Sequence, residues 1–468
     1  VKRLIGFLLL SSAVPFLAAK EDTLAFGPFG TVTLYYQSPH PAHVALFVSG
    51  DGGWNRGVVN MARQLATLDT MVVGIDIRHL IKQMESSNEK CLYPAADFEA
   101  LSKFVQLKLS FPRYRTPVLV GYSSGATLIY AALVQAPPDT FLGGIGLGFC
   151  PDFMIHKPMC RGSGLEWTRG PKGKGYNFLP AQTLEVPWIA LQGATDQVCN
   201  PAATVTFVKK VPHGEVVVLP KVGHGFSVPR NWLQQFKEAF SGIAAREGKT
   251  EGSPKTVSNG ASGSVSDLPL IEVPATAQKS GLMGIIITGD GGWGATDRGI
   301  ARSLAAKGIP VVALNSLHYF WTRKTVEQTA ADLNRIMQHY SALWKRPEVV
   351  VIGYSFGADV LPFMLNRLPE DKRQRIKVIA YLGLGFTADF EFHLTDWISD
   401  FKHSTSRAVR PEVEKLRGRK MLCFYGTEDK SLCPQLDPGL VKRIPIQGGH
   451  RFGRGYQPIV DAILQELK

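Results

Sequence analysis

The chain carries one series of motifs twice, and any fold it adopts must accommodate that repeat. The segment LFVSGDGGWNRG (Leu46–Gly57) returns as IIITGDGGWGATDRG (Ile285–Gly299). VLVGYSSGA (Val118–Ala126) returns as VVIGYSFGA (Val350–Ala358), and GIGLGFCPDF (Gly144–Phe153) as YLGLGFTADF (Tyr381–Phe390). LQGATDQVCNP (Leu191–Pro201) is matched by FYGTEDKSLCP (Phe424–Pro434), and GHGF (Gly223–Phe226) by GHRF (Gly449–Phe452). Order and spacing are kept: Ser123 precedes Asp196 by 73 residues, and Ser355 precedes Asp429 by 74. Five ordered matches are not a product of chance. Between the copies, Arg246–Asp267 is rich in Gly, Ser, Lys and Thr and lacks large apolar residues, which is linker composition. The expected organisation is a leader at 1–19, a first half at 20–245, a linker at 246–267 and a second half at 268–468, each half with its own core.

Within each half, short apolar runs alternate with helical stretches. The first half has His43–Ser49, Met71–Ile75, Pro117–Val120, Phe141–Leu147, Val186–Gln192 and Glu215–Leu219; the second has Gly284–Thr288, Ile309–Leu314, Glu348–Ile352, Ile376–Leu382, Lys420–Tyr425 and Val441–Ile446. Runs apolar almost throughout suit parallel strands covered on both faces. The fold class expected is α/β: two tandem α/β-hydrolase-like domains, each with a mostly parallel, doubly wound sheet.

The chemistry falls at strand ends. GYSSG follows the run TPVLV and opens a helical stretch; GYSFG does the same after EVVVI. A strand, a sharp G-x-S-x-G turn and a helix form a nucleophile elbow, with the serine exposed at the turn. A serine hydroxyl needs a base, and the base needs an orienting carboxylate, in chain order Ser, acid, His. The second half offers Ser355, Asp429 and His450, and the first a second site of Ser123, Asp196 and His224. His213, His318 and His339 have no counterpart in the other half and are read as structural. Oxyanion donors are expected from the residue after the nucleophile, Phe356 or Ser124, and from the GDGGW loop, Gly291 and Gly292 or Gly52 and Gly53. Asp290 either holds that loop or binds a substrate amine. Tyr319, Phe320 and Trp321 follow a strand end and either line a substrate pocket or pack in the core. No motif calls for a cofactor or a metal.

The first twenty residues suggest the compartment. Lys2 and Arg3 precede the apolar run Leu4–Leu10, and Ala18 and Ala19 follow, the pattern of a secretory leader cleaved near Ala19. Six cysteines permit disulfides in an oxidising compartment or simple buried thiols; Cys423 and Cys433 bracket one loop, as Cys150 and Cys160 do. The net charge of +13 favours an anionic partner. Without zinc-finger spacing or an RNP-like segment, a membrane surface fits better than nucleic acid. Lys372, Arg373, Arg375 and Lys377 form one basic run and Lys415, Arg417, Arg419 and Lys420 another, either of which also suits an ordinary solvated surface.

Two GDGGW loops, two GYS elbows, the GLGF strand and a leader on a duplicated chain resemble the bacterial AcvB/VirJ virulence-protein family over essentially the whole chain after the leader. VirJ-like members resemble the second half alone. The resemblance implies a periplasmic hydrolase of aminoacyl-phosphatidylglycerol, which removes lysine or alanine esterified to the lipid headgroup, with Ser355, His450 and Asp429 as its catalytic residues. It also implies partners among type IV secretion components, through the family's association with DNA transfer to plants. Two other readings stay open: another exported esterase or lipase, and a non-catalytic periplasmic adaptor of a secretion system.

Overall fold

The computed structural model describes residues 19–247, 264–275, 281–392, 406–450, 452 and 456–467. The expected leader at 1–19, apart from Ala19, and most of the expected linker at 246–267 lie outside the described residues.

Two separate large sheets account for the repeat. In the first, the strands lie side by side in the order Lys20–Phe26, Gly30–Tyr36, Thr70–Ile75, His43–Val48, Val118–Tyr122, Gly143–Leu147, Trp188–Gly193 and Gly214–Leu219. In the second the order is Leu270–Val273, Val311–Leu314, Leu282–Ile287, Glu348–Tyr354, Ile376–Leu382, Met421–Gly426 and Lys442–Ile446. Pairing is parallel throughout except at one edge of each sheet, where Lys20–Phe26, Gly30–Tyr36 and Leu270–Val273 join antiparallel. All twelve apolar runs contain strands; ten are covered on both faces, and Gly214–Leu219 and Lys442–Ile446 are largely exposed edge strands. In the first half, helices Pro94–Lys108 and Ser124–Gln135 pack one face of the sheet, and Arg56–Ala66 and Leu233–Ala244 the other. In the second, Val326–Trp344 and Phe356–Asn366 take one face, and Ala295–Ala306 and Gln457–Glu466 the other. These are two doubly wound α/β units.

The cores are not independent. Tyr114, from the first half, is 4 % exposed and belongs to the second half's core, where its ring lies 5.2 Å from that of Trp321. Trp321 donates its indole N–H to the carbonyl of Phe111 at 2.8 Å, across 210 residues of sequence. Arg298 closes the seam on Asp139 at 2.7 Å. Each half has core clusters of its own, and one first-half ring, Tyr114, adds to a cluster of the second.

The cysteines are all paired: Cys91–Cys160, Cys150–Cys199 and Cys423–Cys433. The bracketing of Cys423 and Cys433 is a covalent pairing, whereas Cys150 and Cys160 each bond a cysteine from elsewhere in the first half. Among the described residues, no helix is long and apolar enough to cross a membrane.

Candidate active site

Each GYS segment turns sharply at the end of a central strand. Ser123 has φ 55° and ψ −124°, and Ser355 φ 51° and ψ −121°. This left-handed, strained backbone costs on the order of 1–3 kcal/mol and persists only where the surroundings enforce it. Flanking glycines make the turn feasible. A Cβ on Gly353 would fall 2.6 Å from the Gly357 carbonyl oxygen, and one on Gly357 would collide with the carbonyl of Ile287. The serine amides are anchored on the neighbouring strand, Ser123 N–H to Leu147 and Ser355 N–H to Leu382, both at 2.8 Å.

The structure brings both sets of three residues together. In the first half, Ser123 Oγ lies 2.9 Å from His224 Nε2, and His224 Nδ1 lies 2.9 Å from Asp196 Oδ2. In the second, Ser355 Oγ lies 2.8 Å from His450 Nε2, and His450 Nδ1 lies 2.6 Å from Asp429 Oδ2. With the imidazole neutral and its proton on Nδ1, each ring donates to its carboxylate and accepts from its serine. It is then placed to take the hydroxyl proton as the oxygen attacks a carbonyl. Tyr122 and Tyr354, the residues before the serines, set their rings against His224 and His450.

The surroundings differ. Asp196 accepts hydrogen bonds from the Val198 and Cys199 amides and from Gln192 as well as from His224. Burial opposes its charge, but the His224 bond and the two amides hold its carboxyl below the ordinary range. Asp196, Cys199 and His224 also have metal-ligand spacing. The set does not suit a metal, because Cys199 is in a disulfide and both His224 nitrogens are engaged.

Ser355 and His450 open into a cavity of about 670 Å³ between the two halves. The second half supplies the loop from Gly289 to Asp297. The first half supplies the opposite wall, including Tyr93, Glu99, Tyr114 and Glu247. Gly289 sits against the nucleophile, since a Cβ there would lie 3.5 Å from Ser355 Cβ. Asp290 and Gly291 are exposed to the cavity. The Gly292 amide, however, is bonded to the Gly289 carbonyl at 3.0 Å, as Gly53 is to Gly50 at 2.8 Å. Both glycine amides close the turn, so the expectation that Gly292 and Gly53 offer free donors is corrected. Gly291, and the Phe356 amide at the first position of its helix, remain as candidates.

Tyr319, Phe320 and Trp321 are likewise corrected as pocket residues. They are at most 5 % exposed and do not line the cavity. Phe320 packs on Phe356 and Phe390, Tyr319 donates to Asp332, and Trp321 faces the seam. His318, read as structural, does line the cavity, with its ring on Tyr114. Four acids that the motif comparison missed also line it: Glu99, Asp139, Glu247 and Asp297. Glu99 lies in an unrepeated stretch of the first half. Asp297 ends GATD, the four residues that stand in GDGGWGATDRG where GDGGWNRG has the single Asn55, a signal that was visible. Asp297 Oδ2 accepts the Gly294 amide at 3.2 Å, its Oδ1 has no partner among the described residues, and burial pushes its carboxyl up to about 8.

The sheets, the elbows and the two serine–histidine–aspartate relays define an α/β hydrolase. Residues 42–141 and 281–468 match the family described as bacterial virulence protein (VirJ), and the chain belongs to that family. Among solved structures, it is similar to the esterase domain of a Rhodothermus marinus protein (15 % identity, 49 % of this chain and 98 % of that one, TM-score 0.34). It is also similar to an α/β serine hydrolase without a lid from Xanthomonas campestris (20 %, 49 % and 94 %, 0.32). A dienelactone hydrolase from Anabaena variabilis gives 15 % identity, 49 % and 99 % coverage and a TM-score of 0.34. No match is found among curated proteins.

Proposed function

We propose that the protein is a periplasmic serine hydrolase that cleaves the aminoacyl ester of lysyl- or alanyl-phosphatidylglycerol, with Ser355, His450 and Asp429 as catalytic residues. The observation that carries this reading is the Ser355 relay opening into an interdomain cavity with carboxylates, Glu99, Glu247 and Asp290, on its walls. A cavity of this size holds a small acyl group with its headgroup, and acidic walls suit the ammonium of an aminoacyl ester. Ser355 Oγ attacks the ester carbonyl while His450 Nε2 takes the hydroxyl proton. The glycerol oxygen leaves with that proton, and water, deprotonated by His450, then releases the amino acid and restores the serine. Gly291 and Phe356 N–H groups face the developing oxyanion.

The overall charge of +13 supports a place at an anionic membrane surface. That support comes from the whole chain rather than from the two basic runs. Lys372, Arg373 and Lys377 are paired with Asp371, Glu370 and Glu348, and Lys415, Arg417 and Arg419 with Glu412, Asp437 and Glu370. The leader-like start and the three disulfides support an oxidising, exported location.

The test is to incubate the purified protein with vesicles containing lysyl- or alanyl-phosphatidylglycerol and measure the amino acid released, alongside fluorophosphonate labelling of Ser355. Release with labelling is expected. Labelling without release would move the protein to the other exported esterases, and no labelling of either serine would leave a non-catalytic adaptor.

A further inference from the structure

The loop that carries Gly291 is held from the other half of the molecule. Lys103, on helix Pro94–Lys108, is 3 % exposed. Its Nζ lies 2.7 Å from Glu99 Oε1 and 3.4 Å from the carbonyl oxygen of Asp290. A buried ammonium persists only with partners of this kind. Burial alone would push it towards neutrality, but the Glu99 and Asp290 carboxylates outweigh this and its pKa is raised. Glu99 reaches the same loop, since its Oε1 lies 3.8 Å from where a Cβ on Gly291 would stand.

The Asp290 carbonyl and the Gly291 N–H belong to one peptide unit. No cis peptide bond is present among the described residues, so the two groups point to opposite sides of the chain. Asp290 and Gly291 line the cavity with Ser355 and His450, whereas Lys103 does not line it. Holding the carbonyl fixes the direction of the N–H on the far side of the same peptide unit, away from Lys103. A cation on the carbonyl also polarises the amide and strengthens its N–H as a donor.

The first half places a cation beside its own loop from its own residues. Its loop glycine Gly53 packs against the Arg78 guanidinium, which is held by Asp76 at 2.8 Å. Asp76 and Arg78 lie just after strand Thr70–Ile75. The matching positions after strand Val311–Leu314 are Asn315 and Leu317, both against Gly292 and both uncharged. The second half lacks a cation of its own beside this loop at that position, and Lys103 supplies one from across the seam.

We propose that Lys103 of the first half is a positioning residue for the second half's site: by holding the Asp290 carbonyl, it presents the Gly291 N–H to the oxyanion formed at Ser355. This rests on the reading of Ser355 as the nucleophile. It makes the first half a working part of the second site and not only its wall.

The experiment uses the full chain in a Ser123→Ala background, with a p-nitrophenyl ester and a fluorophosphonate as probes. Losing one oxyanion donor outright costs roughly 10²–10³ in kcat. Lys103→Met, which leaves the donor present but unheld, is expected to lower kcat by about 10- to 100-fold at nearly unchanged KM. The labelling rate of Ser355 should fall in parallel. Lys103→Arg should restore much of both, because it returns a cation to the carbonyl, whereas a purely space-filling role would not distinguish Arg from Met in this direction. With Ser123 present, its labelling rate should be unaffected by Lys103→Met, which also reports that the protein is folded. If Lys103→Met does not fold, Lys103→Gln, which keeps a donor without the charge, takes its place with an intermediate loss expected. A labelled, active parent whose Lys103 variant keeps its kcat within about twofold overturns this proposal alone. A parent that neither labels at Ser355 nor turns over the ester overturns the underlying reading and this proposal with it.

Discussion

The two relays are near-copies in geometry and unlike in circumstance. Their serines share one strained backbone conformation, and their hydrogen bonds differ by no more than 0.3 Å. The His224 side chain is 17 % exposed over a fully buried Asp196, however, while His450 is 41 % exposed over an Asp429 that is 15 % exposed. The first acid is fixed by four donors and by a disulfide that ties Cys199, three residues on, to Cys150. The second relay opens into the interdomain cavity. The repeated motifs set the relay; the unrepeated residues around it set what can reach it. A buried relay and an accessible one are different assets, and the second is the better placed to admit a substrate.

The sharpest way to break this contrast is to remove one serine at a time. Ser355→Ala is expected to cut amino-acid release by roughly 10⁴-fold or more, while Ser123→Ala costs less than about tenfold. Release rates for both variants and the double mutant on one lipid preparation decide it. The reverse ranking would assign turnover to the first half, and a fully active double mutant would end the serine-hydrolase reading.

The next test concerns the seam. Tyr114→Ala removes a first-half aromatic ring from the second half's core and should cost about 3–5 kcal/mol. Hydrogen exchange should show the loss in strands of the second half, such as Leu282–Ile287. Unchanged protection there, with loss confined to the first half, would restore the picture of independent cores.

The disulfides should separate the halves less strongly. By chain entropy, a bridge closing 49 residues, Cys150–Cys199, stabilises by about 4 kcal/mol and one closing 10, Cys423–Cys433, by about 3. Paired Cys→Ala variants compared by thermal unfolding should follow that order. Equal losses would show that loop length is not what distinguishes the two bridges.

The smallest effect distinguishes the halves by pH. Asp297 stands where the shorter first-half loop has Asn55, which cannot ionise, and burial pushes its carboxyl up to about 8. A raised folded-state value means that its contribution to stability is fully present below the unfolded value of about 4 and is lost as pH rises through about 8. Asp297→Asn cannot ionise and should escape that loss. The melting temperatures of variant and wild type should nearly coincide near pH 4 and diverge by a few degrees in the variant's favour by pH 9. A constant difference across that range would show that Asp297 does not stay protonated in the folded protein.

Much of this was legible in the sequence, for physical reasons. Strands buried on both faces are nearly apolar throughout, so the ten interior strands among the twelve runs stood out, and a serine between tightly packed glycines marked each elbow; the edge strands Gly214–Leu219 and Lys442–Ile446 were found by their β-branched content although they are largely exposed. The edge strand Lys20–Phe26 did not stand out, because KEDTLAF is largely exposed and polar. Tyr319–Trp321 could be read as pocket or core because aromatic residues serve in both, and only the position of Tyr114 settles that Trp321 faces the seam. The pairing of Cys91 with Cys160, 69 residues away, follows from chain crossings that no local spacing reveals. Lys103 and Glu99 were invisible for the same reason: their significance lies in a loop 187 residues from Lys103.

That distance has a consequence in time. A chain made from its amino terminus can complete the first sheet and helix Pro94–Lys108 before residue 290 exists, and domains generally fold in that order. The contacts from Lys103 to Asp290 and from Phe111 to Trp321 are loop closures of 187 and 210 residues, which neither half can make alone. The second half therefore matures against a finished template. Its site can be completed only after that docking, and a chain that ends between the two halves carries the first relay without the second.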